Sequence, residues 1–129
     1  MNRFPIESKN VAYSLESYFG NLVSVVNKVK SLHEANPDKQ IYLWPASIHT
    51  LSLFPLGLQE EWFKGFADNS PNKIGNYMYG TQKKIYSFKS LVDENSSSTI
   101  LYLNGGVFTK EVIKTISFAK NIQIFDATI

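Results

Sequence analysis

Thr99-Ile100-Leu101-Tyr102-Leu103 is the most strand-like run of the chain, and Asn104-Gly105-Gly106 ends it. Its apolar residues follow one another without clean alternation, the pattern of a strand buried on both faces of a sheet. Working outward, Gln40-Ile41-Tyr42-Leu43-Trp44 reads as another buried strand, closed by Pro45-Ala46-Ser47. Trp62 to Asp68 reads as a second strand in chain order, and Ile122-Gln123-Ile124-Phe125 as the last. Lys84-Ile85-Tyr86 is a short extended piece. Helical stretches separate these runs: Ile48 to Leu56, broken near Pro55 and Gly57, then Phe88 to Asp93, then Thr109 to Lys120. Ser87 and Thr109 are the expected caps, and Glu111 sits in a first turn, where the helix dipole favours an acid. Residues 69 to 80, rich in Asn, Gly, Pro and Ser, form a loop.

Before the first strand, Val11, Leu15, Tyr18, Leu22, Val25, Val26, Val29 and Leu32 recur at spacings of three and four. They form one apolar stripe on a long helix over residues 9 to 35, capped by Ser8 or Asn10. Asn36-Pro37-Asp38 stops it, because a residue before proline avoids the α region. The stripe is expected to pack on the chain's own sheet; a partner-docking face is the other use of such a stripe.

Strands alternating with helices predict an α/β fold, a small Rossmann-like doubly wound parallel sheet of about four strands with a long N-terminal helix. One domain is expected over 1–129, with the helix at 9–35 and the sheet core at 40–129. Right-handed crossovers place the 40–44 strand centrally, with its successor on one side and the 99–103 strand on the other. A crevice is then expected beyond the carboxyl ends of those two strands, at the topological switch point.

The chain has 129 residues, 43% of them hydrophobic, enough for one real core and too few for separate cofactor and substrate domains. It has no cysteine, which rules out a disulfide scaffold and any Cys-ligated zinc or iron–sulfur site. That fits a reducing cytoplasm. A net charge of +2 does not by itself call for nucleic acid. No apolar run approaches the roughly 20 residues that span a membrane, and Met1 to Glu7 has no apolar signal core.

A dinucleotide site would place Gly-x-Gly-x-x-Gly at the first strand-to-helix turn, where bare backbone approaches a pyrophosphate. This turn reads Trp44-Pro45-Ala46-Ser47-Ile48-His49-Thr50, without glycine, which argues against NAD or FAD. Asp68, 22 positions after Ala46, stands where an acid would meet a ribose hydroxyl, or is a solvated strand-end acid. His49 is a general base or ligand contact on one reading, and a neutral histidine bonded to a nearby carbonyl on the other. His33, near the end of the long helix, suits the dipole there. Lys64, Lys73, Lys83, Lys84 and Lys89 face one acid, Asp68, a local excess of +4 with Tyr77, Tyr79 and Tyr86 interleaved. That excess favours a phosphate-bearing ligand, stacked nucleic-acid bases, or a solvated lysine-rich face. No P-loop, no His-Glu-x-x-His and no Gly-x-Ser-x-Gly elbow is present, and two distant histidines make a poor metal site.

Taken in order, Phe66-Ala67-Asp68-Asn69-Ser70-Pro71-Asn72-Lys73-Ile74-Gly75, Tyr79-Gly80-Thr81, Ile85 to Leu91 and Ile100 to Ile113 form a spaced pattern. It resembles the C-terminal domain of S-adenosylmethionine-dependent sugar C-methyltransferases. In that family a strand ends in Asp-x-x-Pro-x-Lys-x-Gly, followed by a Gly-Thr pair, a short strand, and a strand running into Asn and Glu-Ile. The family's glycine-bearing first turn is replaced here by Trp44-Pro45-Ala46-Ser47, and its proline near the short strand by Lys84.

The resemblance implies a Rossmann-like domain that helps hold a nucleotide sugar. It implies no cofactor in this chain, since S-adenosylmethionine would be bound by a separate, preceding domain. The expected role is therefore a substrate-side or auxiliary domain of a methyltransferase-type protein, not catalytic alone, with no catalytic residue and no metal. Ser47, His49, Asp68 and Asn69 would face the sugar nucleotide. Lys73, Tyr79 and Thr81 would close one side of the crevice, and Asn104 and Gly105 the other. The partners implied are a nucleotide sugar and a catalytic methyltransferase domain or a second copy of the chain, with no membrane. The alternative is a non-catalytic protein-interaction module with a degenerate nucleotide-binding fold.

Overall fold

The computed structural model describes residues 20–95, 99–103, 109–116 and 122–126. The elements, in chain order, are helix α1 over 20–35, strand β1 (Gln40–Trp44), the short helix α2 (Ile48–Leu51), strand β2 (Gly65–Ala67), strand β3 (Ile85–Tyr86), helix α3 (Phe88–Asn95), strand β4 (Thr99–Leu103), helix α4 (Thr109–Ile116) and strand β5 (Gln123–Asp126). The sheet is five-stranded in the order β3-β2-β1-β4-β5, and every pairing is parallel. The chain is thus α/β and doubly wound, with β1 at the centre. The expected order around the switch point is the one observed. The fifth strand is β3, the short extended piece at Ile85–Tyr86.

β1 and β4 pair over their whole length, from Gln40 opposite Thr99 to Trp44 opposite Leu103. Both are apolar on successive residues because each face of the sheet is covered. Ile41, Leu43, Phe66, Ile85, Ile100 and Tyr102 join one core with Leu22, Val25, Val26 and Val29 of α1. Tyr42, Ala67, Leu101 and Leu103 join the other with Phe88 and Leu91 of α3 and Val112 of α4. Alternate residues along each strand therefore go to opposite layers. Within the described part of α1, the stripe packs on the chain's own sheet. Asn36 ends the helix, its backbone N–H donating to Leu32 O at 3.0 Å and its side chain to the same carbonyl at 3.0 Å. Residues 9–19 of the expected helix lie outside the described residues.

Two elements differ from expectation. Glu60–Trp62 forms a 3-10 turn, so the second strand begins at Gly65 rather than Trp62. The stretch after β1 splits into α2 and a 3-10 turn over Phe54–Leu56, with Pro55 in its first positions. Gly57 then turns the chain with φ 112°, a conformation that costs glycine little. Ser87 caps α3 as expected, its Oγ accepting from Ser90 N at 3.1 Å.

Gly65 is the tightest point of the sheet. A Cβ there would lie 2.6 Å from the Tyr86 ring and 2.7 Å from the Lys84 carbonyl oxygen. The Tyr86 ring is itself held edge-on against Tyr42, with centroids 5.3 Å apart. Gly65→Ala is therefore expected to destabilise the fold by about 2–3 kcal/mol through overpacking, read as a lower urea midpoint with an unchanged slope.

Candidate functional site

The carboxyl ends of β1 and β2 meet at the turn Pro45-Ala46-Ser47, which follows a cis Trp44–Pro45 peptide. The turn's backbone is held by side chains from the next strand and its loop. Asp68 Oδ2 accepts from Ala46 N at 3.2 Å, and its Oδ1 accepts from Ser70 N at 2.9 Å. Lys73 donates from Nζ to Ala46 O at 2.9 Å and lies 3.8 Å from Asp68 Oδ2. From the other side, the fully buried Thr50 donates its hydroxyl to Pro45 O at 2.6 Å. Ser47 O accepts from Thr50 N and Leu51 N, which opens α2.

These bonds change the reading of Asp68. At this place in a dinucleotide site an acid meets a ribose hydroxyl. Here both carboxylate oxygens accept backbone N–H groups of the chain itself. The Ala46 N–H, which a glycine-rich turn would direct at a phosphate, is satisfied by Asp68. Lys73 is brought beside the turn, with a side chain 44% exposed. Its loop is wound tightly: Lys73 N and Ile74 N both donate to Ser70 O, and Gly75 follows with φ 86°.

Asn69 stays at the same end. Its Oδ1 accepts from Phe88 N at 3.4 Å, which places it over the start of α3. Ser47 is half-buried in the turn, and Ile48 beside it is 76% exposed. The side chain of His49, and the whole of Asn104 and Gly105, lie outside the described residues.

Tyr79 and Thr81 are placed elsewhere. The loop after β2 runs back along β3 and turns at Met78–Thr81, where Thr81 N donates to Met78 O and Gly80 has φ 75°. Met78 N donates to Lys83 O, Tyr77 bridges Lys84 in antiparallel sense, and Gln82 N donates to Glu60 Oε1 at 2.8 Å. Glu60 belongs to the turn that enters β2, so this hairpin tip lies at the amino end of the sheet. The expectation that Tyr79 and Thr81 close the crevice is corrected: the antiparallel return carries them to the opposite end. The lysines divide in the same way. Lys64, Lys83 and Lys84 flank the starts of β2 and β3, whereas Lys73 and Lys89 follow their ends.

Nothing in the residue types of Ala46 and Thr50 marks them as parts of this turn. Ala46 contributes backbone groups only, and a threonine bonded five residues back carries no motif. Among the described residues no cluster of His, Asp and Glu could hold a metal ion, and no helix is long and apolar enough to cross a membrane. No family model, curated protein or solved structure matches the chain.

The Asp68 brace can be measured. Asp68→Ala leaves two backbone N–H groups without their charged acceptor and is expected to cost about 2–3 kcal/mol. Lys73→Ala is expected to cost less, about 1 kcal/mol, because its ammonium is well exposed to solvent. Urea unfolding of both variants checks the order.

Proposed function

We propose that this chain is the substrate-side or auxiliary domain of a methyltransferase-type protein, with a nucleotide sugar lying in the crevice at the carboxyl ends of the strands, beside the turn that leaves β1. The observation that carries the reading is the braced turn at the switch point. Ligands of open α/β sheets bind outside the strand ends where the winding reverses, and β1 lies between β2 and β4 there. Lys73 supplies the positive charge at that place, with Ser47 and Asn69 as polar neighbours and Ile48 as an exposed apolar contact. The motif Asp68-x-x-Pro71-x-Lys73-x-Gly75, which bears the family resemblance, builds this same brace. Its Asp68 acts on this reading by positioning the turn, not by touching the ligand.

A second reading, a protein-interaction module, is favoured by one observation. An apolar groove of about 910 Å³ runs between α1 and β5, with Val23 and Phe125 exposed along it. On that reading the partner is the catalytic domain or a second copy, and Val23→Glu would abolish the association in sedimentation experiments.

Thermal unfolding with added ligands tests the first reading. A nucleotide sugar at about 100 times its Kd is expected to add about 2.7 kcal/mol of stability, and Lys73→Gln to remove that gain. NAD and S-adenosylmethionine are expected to give none, since the Ala46 N–H is occupied and the turn after β1 carries no glycine. The chain alone is expected to methylate no sugar nucleotide. A panel of nucleotide sugars that leaves the melting temperature unchanged would sink the reading.

A further inference from the structure

The end of the sheet opposite the crevice carries a basic concavity that the proposed function does not use. It has a volume of about 200 Å³ and is lined by Lys39, Lys64, Lys83, His33, Glu61 and Trp62, with the edge of β1 at its floor. The three lysines come from three separate places in the chain. Lys39 precedes β1, Lys64 precedes β2, and Lys83 ends the hairpin that precedes β3. The parallel sheet gathers them because all three strands start at this end.

Among the described residues none of the three lysines forms an ion pair with a carboxylate. Lys39 Nζ donates to the neutral Gln123 Oε1 at 3.1 Å, and Lys83 lies over the Phe63 ring, 6.0 Å from its centroid. The lysine at 83 is also placed by its backbone, whose N–H donates to Thr81 Oγ1 and whose carbonyl accepts from Met78 N. Negative charge stands beside them as well, with Glu60 bonded to the N–H of Gln82 next to Lys83. Glu61 is an exposed carboxylate in the lining, and the carboxyl end of α1 adds roughly half a negative charge. Lys39 turns its ammonium to Gln123 of β5, beyond β4, so the positive charge at the concavity comes from Lys64 and Lys83. The apolar walls, Trp62 with Phe63 and Ile41, concentrate that field.

We infer that this concavity binds a small phosphate-bearing anion. Sites for drug-sized ligands run from roughly 300 to 1,000 Å³, so a space of about 200 Å³ suits an oxyanion and not a whole nucleotide sugar. Lysines recognise such a group as point charges and need no bidentate geometry.

Inorganic pyrophosphate is the probe, titrated into the full chain at low ionic strength by calorimetry, with the indole N–H resonances of Trp62 and Trp44 followed in parallel. Saturable binding is expected, with the Trp62 resonance moving and that of Trp44 still. Lys64→Gln and Lys83→Gln should each weaken it about tenfold, as loss of a charged hydrogen-bond donor does. Lys89→Gln, an equal change in net charge outside the concavity, should leave it unchanged, and added salt should weaken it. Absence of saturable binding would overturn the inference. So would equal weakening by Lys89→Gln, which would mean diffuse charge, or movement of Trp44 with no effect of Lys64→Gln, which would place the anion in the crevice.

Discussion

Everything in this molecule depends on the burial of one strand. β1 has a strand on each edge and a helical layer on each face, so each of its backbone groups and alternate side chains has a place set by a neighbour. Ile41 and Leu43 meet α1, whereas Tyr42 and Trp44 meet the layer of α3 and α4. A slip of one residue in the pairing with β4 would exchange the two sets and put α1's valines against the wrong side chains. Because β1 cannot shift, the turn that leaves its carboxyl end is presented at a fixed point. Asp68 can then reach across from the next strand and hold it.

That brace is also a choice between two uses of the same atoms. In a doubly wound fold the first turn is where backbone N–H groups meet a phosphate and where the next strand's acid meets a ribose. Here the acid is bonded to the turn's own N–H, and the lysine to the turn's own carbonyl. The two groups that a dinucleotide would bridge have been joined directly. What remains available for a ligand is the exposed part of Lys73 and the side chains around Ser47 and Ile48. Selectivity at such a site would rest on side chains rather than on bare backbone.

Much of the fold was legible because its signals are local and repeated. The valines of α1 mark their own buried face by spacing, and Asn36-Pro37 marks its end by sterics. β1 and β4 announce double burial by composition. The start of the second strand was not legible, because the turn over Glu60-Glu61-Trp62 is closed by backbone bonds, Trp62 N to Gln59 O and Phe63 N to Glu60 O, that its residue types do not signal. The site was half legible for a related reason. Asp68 and Lys73 stand out by type and position, and they do reach the first turn. That the turn itself would occupy them depends on distances between strands, which no spacing along the chain encodes.

The lysine run shows the same limit in its sharpest form. Read along the chain, residues 64 to 89 look like one positive segment. A parallel sheet cannot keep such a segment together, since every strand begins at one end and finishes at the other. Lys64 stands before β2 and Lys73 after it; Lys83 and Lys84 stand before β3 and Lys89 after it. β2 and β3 are only three and two residues long, so the alternation falls inside a single run of charge. The +4 excess is therefore divided between two faces of the molecule. Each must be judged by its own neighbours: at one end Lys73 is paired with Asp68, and at the other the lysines meet neutral groups and aromatic rings. Charge counted in sequence measures attraction for a ligand only after the topology has said which charges share an end.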